Sequence, residues 1–177
     1  MNLPNKLTIF RILLVPVLLV VLVVKFPMAS WVTQVIAAAV FIIASLTDMA
    51  DGKIARKNNL ITDFGKFMDP LADKVLVLSA MCFFVEQGQM PGWAVAVVLV
   101  REFAVSGLRL VAAGQGNVIA ADISGKIKTV STMICLGTML VFPQINFINV
   151  LSTAVIVIST LWSGVHYFVA NKGVLKL

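Results

Sequence analysis

Six long apolar runs, separated by short polar breaks, constrain this chain more than any other feature. They occupy 8–26, 31–55, 67–87, 92–113, 124–142 and 147–170. A helix needs about 20 apolar residues to cross the hydrocarbon core of a bilayer, and each run approaches that length. The breaks fall at Pro27, at the polar stretch from Lys57 to Lys66, at Gln87-Gly88-Gln89 with Pro91, at Gly114-Gln115-Gly116 and at Pro143-Gln144. Run length, and the lack of ten-residue alternation, select helices over barrel strands. The expected fold is an all-α integral membrane bundle of six transmembrane helices, forming a single domain over 1–177. The uncharged part of the first run, Ile12 to Val24, follows Lys6 and Arg11 and precedes no good small-x-small site, so it reads as a span and not as a cleaved leader.

Composition agrees with this reading. The chain is 60% hydrophobic and 12% charged, whereas soluble domains are about a quarter charged. The net charge of +6 does not point to nucleic acid, because the basic residues sit at the ends of apolar runs. With a cytoplasmic N-terminus, the inner side collects Lys6, Arg11, Lys53, Arg56, Lys57, Lys66, Lys74, Arg101, Arg109, Lys126, Lys128, Lys172 and Lys176, and the outer side only Lys25. That asymmetry predicts cytoplasmic N- and C-termini. Trp31 and Trp93 then fall at the outer interface and Trp162 nearer the inner half, as anchors. Cys82 and Cys135 lie within apolar runs and read as small buried hydrophobes, not as a disulfide framework. His166 stands without a second His or Cys to share a metal.

The acids need their own explanation. Asp48, Asp51, Asp63, Asp69, Asp73, Glu102 and Asp122 all fall on the inner side, and Glu86 falls outside. Asp48 and Asp51 are three apart and Asp69 and Asp73 four apart, so each pair shares a helical face. Spans two and three are antiparallel neighbours, and their inner ends can bring four carboxylates together. Four such groups repel and raise one another's pKa values. A hard divalent cation removes the penalty, and all-oxygen ligation suits Mg²⁺ or Mn²⁺ over zinc; Ca²⁺ takes the same donors, but the chain has no EF-hand loop for it. Two ions can share four carboxylates and clamp a reacting phosphoryl group. Gly52 and Ala55 leave room beside the acids for a ligand or for a neighbouring helix. Arg56 offers a planar fork to phosphate or to a base edge.

The pattern D-x2-D-G-x2-A-R-x8-G-x3-D-x3-D is complete in Asp48, Asp51, Gly52, Ala55, Arg56, Gly65, Asp69 and Asp73. It resembles the signature of the CDP-alcohol phosphotransferase family, whose six-span layout also matches the whole chain. The resemblance implies that Asp48, Asp51, Asp69 and Asp73 bind two Mg²⁺ or Mn²⁺ ions holding the donor's diphosphate. It implies that Gly52, Ala55, Arg56 and Gly65 line the CDP site, and that Asp73 is the general base for the acceptor hydroxyl. The donor implied is CDP-diacylglycerol. The implied setting is a bacterial cell membrane, with lipid contacts, a site facing the cytoplasm, and a homodimer.

A second polar group bears on the acceptor. Arg101 and Arg109 are eight apart within the fourth run, and Lys126 and Lys128 open the fifth. Arginines inside a membrane are costly and mark function, so a second anion is expected: a phosphorylated alcohol. The competing account pairs Arg101 with Glu102 or Asp122 and turns the lysines to lipid headgroups. The segments Arg101–Arg109, Gly125–Thr129 and Leu3–Arg11 resemble the branch of the family whose acceptor is sn-glycerol 3-phosphate and whose product is phosphatidylglycerophosphate. That resemblance implies an acceptor-phosphate clamp drawn from Arg101, Arg109, Lys126 and Lys128, with Asn5, Thr8 and Arg11 at the polar edge of the site. Inositol phosphate, or phosphatidylglycerol in a cardiolipin-forming reaction, is the alternative acceptor. A cation transporter could use the same acids, but they lie on one side of the membrane, and no polar path or inverted repeat continues outward. A lipid-binding protein without catalysis leaves the four-acid grouping unexplained.

Overall fold

A computed structural model of the chain describes residues 3–24, 26, 27, 29–57, 63–116, 119 and 122–175; for 3–5, 30, 48–57, 63–67, 69, 70, 174 and 175 it describes the backbone alone. Six helices follow in order: α1 (Leu3–Val23), α2 (Ser30–Lys57), α3 (Asp63–Glu86), α4 (Gly92–Gly114), α5 (Ile123–Val141) and α6 (Asn146–Ala170). A short 3-10 turn, Lys172–Leu175, follows, and no strand occurs among the described residues. Each helix coincides broadly with one apolar run, and the breaks at 87–91, 114–116 and 143–144 fall at helix ends and turns, but α3 already begins at Asp63, inside the stretch Lys57–Lys66 expected as a break. Gly88 and Gly116 have φ of 69° and 77°, the left-handed backbone that glycine adopts without a Cβ clash.

Over Lys6–Val23 in α1 and Asn146–Ala170 in α6 the helices are long and apolar enough to cross a bilayer, and α2 carries a shorter apolar stretch, Trp31–Thr47. The other helices hold charged residues inside their runs, which lowers their hydropathy at the depth where the chemistry is expected.

The bundle is apolar inside and outside. Its centre is built from Leu18, Phe41, Leu76, Met81, Phe84, Leu136, Met139 and Ile156, all buried. Small residues, among them Ala37, Ala44, Ala80, Ala94 and Ala112, are buried at the helix contacts, which lets backbones approach closely. On the outer surface Phe103, Leu110 and Phe147 are each about three-quarters exposed (74%, 76% and 74%). An exterior of this kind is stable against hydrocarbon and aggregates in water. Trp31, Trp93 and Trp162 are exposed too, as interfacial anchors require.

The cysteines correct the expectation that both are buried. Cys82 is exposed and Cys135 only partly covered, and neither is in a disulfide. An apolar run in a membrane has a lipid-facing side, so a thiol can avoid water without entering the protein core.

Contacts between helices define two ends. α1 packs on α2 and α3, α5 on α6, and α4 on α6. At one end, the C-terminal ends of α1, α3 and α5 meet the start of α2 around a cavity of about 440 Å³ lined by Val21, Gln34, Phe84, Glu86, Gln89 and Pro143, among others. At the other end lie the start of α3, the middle and C-terminal part of α4 and the start of α5, with Lys74, Arg101, Glu102, Arg109, Asp122, Lys126 and Lys128 among the described charged side chains.

Candidate active site

Helix geometry carries the acidic motif. α2 remains helical through Asp48 and Asp51 to Lys57, and α3 is helical from Asp63 through Asp69 and Asp73. Both acid pairs therefore have one-turn spacing on continuous helices, and α2 packs on α3. The side chains of Asp48, Asp51, Gly52, Ala55, Arg56, Gly65 and Asp69 lie outside the described residues. Asp73 is described: it is partly buried and engaged with neighbours, beside the buried Ala72. The described side chains alone contain no group of three metal ligands. A pair of one-turn carboxylate sets, on adjoining helices and with oxygen donors only, suits hard divalent ions.

On α1, Thr8 and Arg11 are fully buried, at 1% and 0% exposure, and both are engaged with neighbours. A guanidinium taken entirely out of water belongs beside an anion. Asn5, the third residue expected at this edge, has no described side chain.

The basic residues do not act as one unit. Arg101 reaches from α4 with two hydrogen bonds: Nη1 donates to Glu102 Oε1 at 2.9 Å and Nη2 to Ser163 Oγ at 2.8 Å. It lies in a slot made by small residues of α5 and α6. A Cβ at Gly164 would stand 3.3 Å from Arg101 Cγ, and one at Gly125 would stand 3.6 Å from Nη2. Lys128, buried at 6% exposure, donates to the same Glu102 oxygen at 2.7 Å. Arg101 and Lys128 thus converge, through the Arg101–Glu102 pairing that the sequence offered as the competing account.

Arg109 is exposed and turns to α6. Its Nε donates to the Tyr167 hydroxyl at 2.9 Å, and its guanidinium lies 5.3 Å from the ring centroid. Lys126 is exposed.

The contacts of two further residues, Lys74 and Asp122, escaped the sequence reading. Lys74, next to Asp73, donates from Nζ to Ser106 Oγ at 2.8 Å and lies 3.7 Å from Glu102 Oε2. The helix that carries Asp69 and Asp73 is thereby tied to the basic group. The signal was present in sequence only as an ammonium adjoining the last acid of the motif. Asp122 caps the start of α5 by accepting from Ile123 N at 2.8 Å, and it also takes a short hydrogen bond from Ser124 and one from His166 Nδ1 at 2.8 Å. The Ser124 hydroxyl, the Ile123 N–H and His166 together hold the Asp122 carboxyl below its usual range, against a smaller opposing effect of partial burial. His166 thus sits at the surface as a hydrogen-bond partner of Asp122.

The sequence pattern defining CDP-alcohol phosphatidyltransferases matches residues 1–164, which include the acidic motif and the Glu102 cluster. The chain belongs to the CDP-alcohol phosphatidyltransferase family. It is accordingly an enzyme, a transferase of phospholipid biosynthesis, and the family points to a bacterial membrane protein. A relative from Bacillus subtilis (strain 168) is 44% identical over 99% of this chain and 97% of its own length. Relatives from Salmonella choleraesuis (strain SC-B67) and Rickettsia bellii (strain RML369-C) are 37% and 34% identical, each over 97% of this chain and 96% of their own length. All three bear the name CDP-diacylglycerol–glycerol-3-phosphate 3-phosphatidyltransferase. Tyr167 and His166 lie past the span that the family pattern matches, so the Arg109 and Asp122 contacts on α6 extend beyond it.

Proposed function

We propose that this enzyme transfers the phosphatidyl group of CDP-diacylglycerol to sn-glycerol 3-phosphate, releasing CMP and forming phosphatidylglycerophosphate. The observation that carries the reading is the position of Lys74. It follows Asp73 on α3 and reaches Ser106 and Glu102 on α4, so a metal-type acidic motif and a cation cluster adjoin at one end of the bundle. Two phosphate-bearing substrates need two such anion sites side by side. The shared name of full-length relatives supports the same donor and acceptor.

In this reading Asp48, Asp51, Asp69 and Asp73 hold two Mg²⁺ or Mn²⁺ ions, whose charge offsets that of the diphosphate and of departing CMP. Gly52, Ala55, Arg56 and Gly65 line the cytidine diphosphate. Asp73 accepts the proton of the acceptor hydroxyl, which is a poor nucleophile at neutral pH without a base in hydrogen-bond reach. The hydroxyl oxygen bonds to the lipid-linked phosphorus, and the bond from that phosphorus to the bridging oxygen breaks. CMP departs with the electron pair. The acceptor's phosphate is taken by cations from the set Arg101, Arg109, Lys126 and Lys128, with Asn5, Thr8 and Arg11 at the site's edge.

The six helices cross the cell membrane with both termini and the charged end in the cytoplasm. The acyl chains of the donor stay in the bilayer, and two copies associate as a homodimer. CMP release by the purified protein in detergent, with CDP-diacylglycerol, Mg²⁺ and one acceptor at a time, tests the proposal. Release with glycerol 3-phosphate but not with inositol phosphate, inositol, serine or phosphatidylglycerol, lost in EDTA and restored by Mg²⁺ or Mn²⁺, is expected. Release with a different acceptor overturns the assignment, and release that survives EDTA removes the metals.

A further inference from the structure

Three cations from three helices are gathered around one carboxylate. Glu102 Oε1 accepts from Arg101 at 2.9 Å and from Lys128 at 2.7 Å, and Oε2 lies 3.7 Å from Lys74 Nζ. Only 15% of the Glu102 side chain is exposed, against 12% for Arg101 and 7% for Lys128. In an apolar bundle three such cations repel one another, and a central carboxylate is what allows them to share a site.

The directions of the donors separate their tasks. Arg101 gives one N–H from each terminal nitrogen, to Glu102 and to Ser163, its Cγ is confined by Gly164, and its buried Nε has no hydrogen-bond partner. Arg101 is thus built as a strut that locks Glu102 to α6. An ammonium has three N–H groups. Lys128 gives one to Glu102 and Lys74 gives one to Ser106, which leaves N–H groups on both for a further anion. Three cations against one carboxylate leave two positive charges, which match a phosphate monoester near its dianionic form at neutral pH.

We infer that Glu102 is a positioning residue for the acceptor: it aims Lys74 and Lys128 at one phosphate monoester, while Arg101 holds Glu102 in place. The inference rests on the proposed glycerol 3-phosphate reading and deepens it, adding Lys74 to the acceptor site and giving Arg101 the further task of holding Glu102. It also predicts a sign. If Glu102 merely diluted positive charge, its removal would tighten anion binding; if it aims the lysines, its removal weakens it.

Glu102→Gln in the full-length enzyme, assayed by CMP release, is expected to raise the KM for glycerol 3-phosphate about tenfold, the effect of losing one charge-assisted hydrogen bond. The KM for CDP-diacylglycerol should stay within about twofold on the same grounds. Glu102→Asp should recover part of the loss. An acceptor KM that falls or stays constant, or two KM values that rise together, overturns the inference. If Glu102→Gln does not fold, Lys74→Met decides: its side chain is partly exposed (32%), and an unchanged acceptor KM there overturns the inference equally. The wild-type acceptor panel separates the two proposals. Use of another phosphorylated alcohol overturns only the acceptor's identity, and the variants are then read on that substrate. Use of glycerol 3-phosphate with no response in the variants overturns only the role of Glu102.

Discussion

Gly164→Ala separates the placement of Arg101 from the stability of the bundle. Gly164 lies on α6, and an added Cβ would stand 3.3 Å from Arg101 Cγ. Carbon pairs settle at about 3.5–4.0 Å, so the arginine must retreat by about 0.4 Å. It cannot swing aside freely, because its far end is tied to Glu102 at 2.9 Å and to Ser163 at 2.8 Å. A retreat of that size stretches one of these bonds to about 3.2 Å, the limit of good geometry. A hydrogen bond to a charged group contributes about 1.5–3 kcal/mol, and losing roughly half of one costs about 1 kcal/mol. That corresponds to a loss of about fivefold in kcat/KM for glycerol 3-phosphate. Replacing glycine by alanine inside a helix returns about 1 kcal/mol of stability, so the melting temperature should stay near that of the wild type. Gly137→Ala on α5 is the control, because nothing lies within 4 Å of its Cβ position. The assay is CMP release with acceptor varied at saturating donor, together with thermal unfolding in detergent. An acceptor kcat/KM within about twofold of wild type for Gly164→Ala would refute the link between Arg101's placement and acceptor binding.

Other perturbations address the remaining groups. Asp73→Asn should reduce CMP release by at least about a hundredfold, the lower end of general-base catalysis, while CDP-diacylglycerol binding by the full-length protein persists; near-normal turnover removes Asp73 as the base. Arg109→Ala should raise the acceptor KM about tenfold and the donor KM little, and Tyr167→Phe, which deletes only the hydroxyl that accepts from Arg109 Nε, should give a smaller change in the same direction. Equal effects on both substrates would show that Arg109 serves the bundle and not the acceptor. The ionised Asp122 is favoured in the folded state by Ser124, Ile123 N–H and His166. A depressed folded-state pKa contributes stability in full above about pH 4, the ordinary aspartate value. That contribution fades as pH falls through the lower folded-state value. The thermal midpoint should therefore drop on acidification below about pH 4 more steeply in wild type than in Asp122→Asn; parallel curves would exclude Asp122 from the acid response.

What the sequence determined by itself was local or periodic. Hydrophobic runs long enough for a bilayer mark out α1 to α6 within a few residues of their ends, because a helix satisfies its own backbone hydrogen bonds wherever it runs. The acidic motif was legible for the same reason: spacings of three and four have fixed meaning on a helix, and α2 and α3 are helical throughout Asp48–Asp51 and Asp69–Asp73. Only the tertiary structure decided who meets whom across helices. Lys74 meets Ser106 at a separation of 32 residues, Arg109 meets Tyr167 at 58, and Arg101 meets Ser163 at 62. None of these follows from spacing, because the rotation and depth at which one helix packs on another depend on every side chain between them. The four basic residues drawn together in sequence divide for that reason. Glu102, placed centrally among α3, α4 and α5, gathers Lys74, Arg101 and Lys128, while Arg109 turns to Tyr167 on α6 and Lys126 lies exposed.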